Sequence, residues 1–163
     1  MSRKEALLLI AAIVVAVILQ AAILPVYIVD YFKPDLLLII MVYLALYSSY
    51  KLGTPLAWLL GLLRDTFSGM YLGLNAFTFL VTFLIIKNIA DRLYSSRFLF
   101  VTTVLVATLI SRSIDLLLLF MFTKTPSIAY TILAGMIPHV MVTCFAASLA
   151  ALLPGFNREV KSA

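Results

Sequence analysis

Inside an otherwise apolar run, charge, glycine and amide come together at one place in this chain, GTPLAWLLGLLRDTFSGMYLGLN from Gly53 to Asn75. Small residues and one carboxylate recur there at every fourth position: Gly53, Ala57, Gly61, Asp65, Gly69 and Gly73. Residues four apart stack on one face of an α-helix, so the row predicts a narrow smooth strip on which a second backbone can close in. Asp65 stands on that strip. An ionised group inside a membrane-spanning helix costs about 3 kcal/mol or more, so it needs protein or water and a partner. Arg64 cannot be that partner on one helix, because adjacent residues diverge by about 100°.

Three further polar groups interrupt apolar runs. Arg112 and Asp115 are three apart and share a helix face, and His139 follows Pro138. Counted along their helices at about 1.5 Å per residue, Asp65, Arg112 and His139 fall near or just outside the midplane of a core about 30 Å thick, so they can meet between helices. The residues leave three chemistries open. Asp65 and Arg112 can form a structural ion pair joining the third and fifth spans, the group can bind a ligand or relay protons, or Arg64 can reach out to the headgroups. His139 is expected to make structural hydrogen bonds, since one histidine and the distant Cys144 fall short of the three or four ligands a metal takes. The sequence contains no GxSxG, HExxH, P-loop or dinucleotide fingerprint. No catalytic residue, metal or cofactor is therefore expected.

The elements that must position these groups follow from composition. In 163 residues, 64% are hydrophobic and the mean hydropathy is +1.16, far outside soluble composition. The chain reads as an all-α integral membrane protein with a single polytopic domain over 1–163. The net charge of +5 is scattered through short inter-span segments, which suits orientation in a membrane and argues against nucleic-acid binding. Cys144 in its apolar run is expected to be a small buried hydrophobe.

Six spans are expected, near 6–24, 35–50, 54–70, 73–89, 98–122 and 128–153. The first is a retained helix, since Gln20-Ala21-Ala22 makes a poor cleavage site, and Pro25 is expected to end it. An aromatic interfacial loop follows, and Asp35 suits the N-terminus of the second span. Lys51 and Gly53 are expected to mark the turn into the central run. Residues 54–89 read as two helices turning around 68–73, either as two crossings or as a re-entrant pair. Pro138 is expected to kink the last helix beside His139. With six crossings, Arg3, Lys4, Lys51, Lys87, Arg92, Arg97, Arg158 and Lys161 share one side against Lys33 and Lys124 on the other. The excess of positive charge puts both termini in the cytoplasm.

The pattern Gly61-x-x-x-Asp65-x-x-x-Gly69-x-x-x-Gly73-x-Asn75-Ala76, in six short spans and preceded by Pro34-Asp35, resembles the bacterial rod shape-determining MreD family. The resemblance extends over essentially the whole chain in length and span layout. It implies a six-helix transmembrane bundle similar to the substrate-binding subunits of energy-coupling-factor transporters. It also implies a non-enzymatic inner-membrane scaffold of the cell-elongation, peptidoglycan-synthesis machinery, working with MreC, the MreB filament, RodA and a class B penicillin-binding protein, in contact with membrane lipid. The alternative is a small-molecule-binding subunit of an energy-coupling-factor-type transporter. For the residues singled out, namely Gly61, Arg64, Asp65, Gly69, Gly73, Asn75, Arg112, Asp115, Pro138 and His139, the expected role is structure and partner packing.

Overall fold

The computed structural model describes residues 3–27, 32–68, 72–90, 97–122 and 126–152, and every regular element among them is helical. The first helical rod is built of α1 (Arg3–Ile18), a five-residue π turn (Leu19–Ile23) and α2 (Leu24–Tyr27). The rod runs through Pro25, which was expected to end it. The π turn explains why. In it the N–H of Leu24 bonds back to the carbonyl of Leu19, so the backbone has already left the regular ladder that a proline would interrupt.

Five helices follow: α3 (Leu36–Tyr47), α4 (Tyr50–Ser68), α5 (Leu74–Ala90), α6 (Arg97–Phe122) and α7 (Pro126–Leu152). The rod and these five make six helices. The turn into α4 falls at Ser48-Ser49, ahead of the expected Lys51-Gly53, because Ser49 offers its carbonyl to the N–H groups of Leu52 and Gly53. Gly53 therefore lies inside the helix. A Cβ there would collide with Ser48 Oγ and the ring of Phe83, so the glycine lets α4 lie close to α5. Pro138 sits within an unbroken α7.

The core forms around α3. Leu37, Leu38, Met41, Val42, Leu44 and Ala45 are fully buried, and α3 touches α1, α4, α5, α6 and α7. Phe79 and Phe83 of α5 and Phe100 and Val104 of α6 complete that core. Among the described residues, three stretches are long and apolar enough to cross a membrane: Leu7–Tyr27, Leu99–Leu118 and Gly135–Leu152. The apolar stretches Leu36–Tyr47 and Leu74–Ile89 are shorter. At about 1.5 Å per residue the 12 residues of α3 extend only about 18 Å, so this helix ends well inside the dimensions of its neighbours. A helix that starts among other helices leaves its first N–H groups out of reach of bulk water, and something in the fold must accept from them.

Candidate functional site: two capped helix starts and a cationic junction

At the start of α5 the acceptor is Asp65. One carboxylate oxygen receives the backbone N–H groups of Gly73 (2.8 Å) and Ala76 (3.2 Å), and the other receives the backbone N–H (3.0 Å) and the side-chain amide (2.9 Å) of Asn75. A negative charge is thus set against the positive end of the α5 dipole, with two donors on each oxygen. Asp65 is 5% exposed and Asn75 8%. The cap reaches across from α4, and the glycines of the motif make room for it in different ways. A Cβ on Gly61 would drive into the backbone of Asn75 and Ala76, so Gly61 is where the α4 and α5 backbones meet. Gly73 has open space around the same position, but its φ of +100° lies in the region that L side chains avoid. The smooth-strip expectation therefore holds at Gly61. It fails at Gly73, where backbone conformation, not proximity, requires glycine. Gly69 lies outside the described residues.

The expected ion pair between Asp65 and Arg112 is not what forms, because the Asp65 carboxylate is turned to these donors. The cation that finds a carboxylate is Arg64, whose Nη1 lies 2.7 Å from Asp35 Oδ2, joining α4 to the start of α3. The guanidinium N–H points off the line of this contact, so the attraction is ionic more than a directed hydrogen bond. Arg64 also stands over the ring of Phe79, 5.3 Å from its centroid. Its side chain is only 14% exposed, which argues against the alternative in which it reaches out to the headgroups.

Asp35 is the N-cap of α3, as its position suggested: its Oδ1 accepts from the N–H of Leu38 at 3.2 Å. Gln20, from the π turn, completes this cap. Its carbonyl accepts from the N–H of Leu37 (3.3 Å) while its amide lies 3.5 Å from Asp35 Oδ1. The N–H of Asp35 itself donates to Thr143 Oγ1, and that hydroxyl donates to the carbonyl of His139. Four helical elements thus converge on one residue, three of them on its carboxylate and α7 on its backbone N–H. Gln20 and Thr143 had not been singled out from sequence. The available signal was that Gln20 is the sole polar break in its apolar run.

Arg112 and Asp115 share a face of α6 but do not join. Asp115 accepts from Thr78 Oγ1 of α5 at 2.9 Å. Among the described residues Arg112 forms no hydrogen bond and no ion pair within 4 Å; Arg64, Asp35 and Asp115 are its charged neighbours. His139 is 6% exposed, lies against the backbone of Lys33, and leaves Nε2 buried without a partner among the described residues. Pro138 precedes it on α7 and is half-buried. Among the described residues no three His, Cys, Asp or Glu side chains stand close enough to hold a metal ion.

A helical membrane protein of several apolar spans, in which the buried carboxylates Asp35 and Asp65 serve helix starts, is the class that fold and site define. Within that class, residues 1–153 match the family model of the rod shape-determining protein MreD, and the chain belongs to that family. Curated proteins and solved structures return no match. Membership in this family connects the chain with the determination of rod shape.

Proposed function

We propose that the chain is a non-enzymatic scaffold of the cell-elongation complex in the bacterial inner membrane, contacting MreC and through it MreB, RodA and a class B penicillin-binding protein. In this reading the six helices cross the membrane with both termini cytoplasmic, in a bundle laid out like energy-coupling-factor substrate-binding subunits. One observation supports a scaffold above all: the carboxylate of the central motif has both oxygens taken up by the start of α5, so it holds two helices together and is not poised for proton transfer. The outward rows Ile137, Met141, Phe145 and Leu149 on α7 and Leu7, Ile10, Val14 and Ile18 on α1 are broad apolar faces suited to lipid or partner helices.

Depletion in a rod-shaped host tests the proposal. Loss of the protein should give swollen or round cells, restored by the wild-type chain but not by Asp65→Ala, and MreC should co-purify with the wild type from membranes. Normal rods that acquire a nutrient requirement would overturn it.

A further inference from the structure

Arg112 is a guanidinium with five donors and no bond among the described residues, held among helices and yet half-buried, not sealed. The carboxylates nearest to it are engaged elsewhere. Asp35 is taken by Arg64 and by the N-terminus of α3, and Asp115 by Thr78. Arg64 stands beside it as a second cation, and His139 faces the same group of charges, with Arg112, Asp35 and Arg64 as its electrostatic neighbours. The His139 ring is turned by its contact with the Lys33 backbone, which leaves a bare Nε2, 94% of the residue being buried against its 6% exposure. A neutral imidazole whose other nitrogen donates presents Nε2 as an acceptor. The junction therefore offers an unpaired planar donor fork and, near it, an unpaired acceptor.

We propose that this junction binds a phosphate ester that also carries a hydroxyl group, at the end of the bundle where α3 and α5 begin. The phosphate oxygens accept from Arg112, whose fork matches an oxyanion bidentately, and Arg64 adds a second positive charge. The hydroxyl donates to His139 Nε2. Such a ligand satisfies both orphan groups at once, which neither a simple cation nor an apolar molecule can do. Two sources supply this chemistry: the headgroup of a glycerol-type anionic phospholipid, or a soluble glycerol phosphate. The site is independent of the scaffold role.

The test uses the full-length protein in detergent, with native mass spectrometry to count retained molecules and thermal melting to follow stabilisation. The probes are phosphatidylglycerol, phosphatidylcholine and glycerol 3-phosphate. Phosphatidylglycerol, with its headgroup hydroxyls, should be retained as one tight adduct, or glycerol 3-phosphate should raise the melting point. The first result assigns the site to lipid, the second to a soluble ester. Phosphatidylcholine, with no headgroup hydroxyl and no net charge, should be lost. Arg112→Gln should weaken retention about tenfold or more, as expected for losing a charge-assisted contact. Arg112→Lys, which keeps the charge and guards against misfolding, should weaken it less. Asp115→Asn should leave it intact. Equal retention of both lipids, no binding of any probe, or retention unchanged in a folded Arg112→Gln protein would each overturn the proposal; the last would mean that Arg112 serves only to balance Asp35 and Asp115.

Discussion

Two helices of this bundle begin among other helices, and each sets a carboxylate against its first N–H groups. The start of α5 is capped by Asp65 from the preceding helix, with donors that lie 8 to 11 residues away along the chain. The start of α3 is capped by its own Asp35, and the groups that hold this residue come from the first rod, from α4 and from α7, one of them 108 residues distant. The first is a local clasp between consecutive helices. The second is a junction that ties the first rod, α3, α4 and α7 together. They also hold the carboxylate differently: the start of α5 sets four N–H donors on Asp65, while Asp35 takes N–H donors from Leu38 and Gln20 and lies against the guanidinium of Arg64.

This contrast orders the effects of substitution. The largest should come at the junction. Arg64→Ala strips Asp35 of its counter-charge in a buried setting, and should cost about 3–5 kcal/mol, read as the shift in denaturant unfolding in detergent. A loss under about 1 kcal/mol would reduce the junction to an incidental contact. Asp65→Ala comes next, because it leaves three backbone N–H groups at the start of α5 without their acceptor. It should cost about 3 kcal/mol, with hydrogen exchange rising at residues 73–76 before it rises in α3. Exchange that rises equally in both helices would erase the distinction between clasp and junction.

The glycines of the clasp sharpen the comparison further. Gly61→Ala forces a methyl against the backbone of Asn75 and Ala76 and should destabilise by about 1–3 kcal/mol through overpacking. Gly73→Ala meets no atoms but must adopt a positive φ, at about 1–2 kcal/mol. Gly73→Asn should recover part of that loss, as asparagine tolerates this backbone better, whereas Gly61→Asn should recover nothing. A parallel response at both positions would mean that the glycines serve one purpose. The smallest effect is expected at Thr78→Val, which removes one interhelical hydrogen bond to Asp115, at about 0.6–1.5 kcal/mol in thermal melts.

How far each region could be read from sequence follows from the same contrast. The clasp announces itself because its residues are close in sequence: the four-residue spacing from Gly61 to Asp65 and the nearby Gly73, Asn75 and Ala76 lie in one short run. Even so, the spacing suggested helix packing throughout, and only backbone geometry separates Gly61 from Gly73. The junction was legible in one respect, the capping role of Asp35, since a carboxylate just ahead of an apolar run has an obvious use. Its partners were not. Pairing across a bundle depends on the rotation and depth of each helix, and no local pattern encodes that Arg64 faces α3 while its neighbour Asp65 faces α5. The reading of Asp65 with Arg112 erred by treating every buried carboxylate as in search of a cation, when the start of a helix is itself an electropositive partner. Pro25 misled for a related reason, since the π turn that accommodates it leaves no plain mark in the sequence.

The most direct measurement is a pair of double-mutant cycles on unfolding in detergent, one on Asp35 and Arg64, the other on Asp65 and Arg112. If Arg64 serves the start of α3 and Asp65 the start of α5, Asp35→Ala and Arg64→Ala should couple by about 1 kcal/mol or more, while Asp65→Ala and Arg112→Ala should add to within about 0.5 kcal/mol. Strong coupling between Asp65 and Arg112, with additivity between Asp35 and Arg64, would contradict the arrangement described.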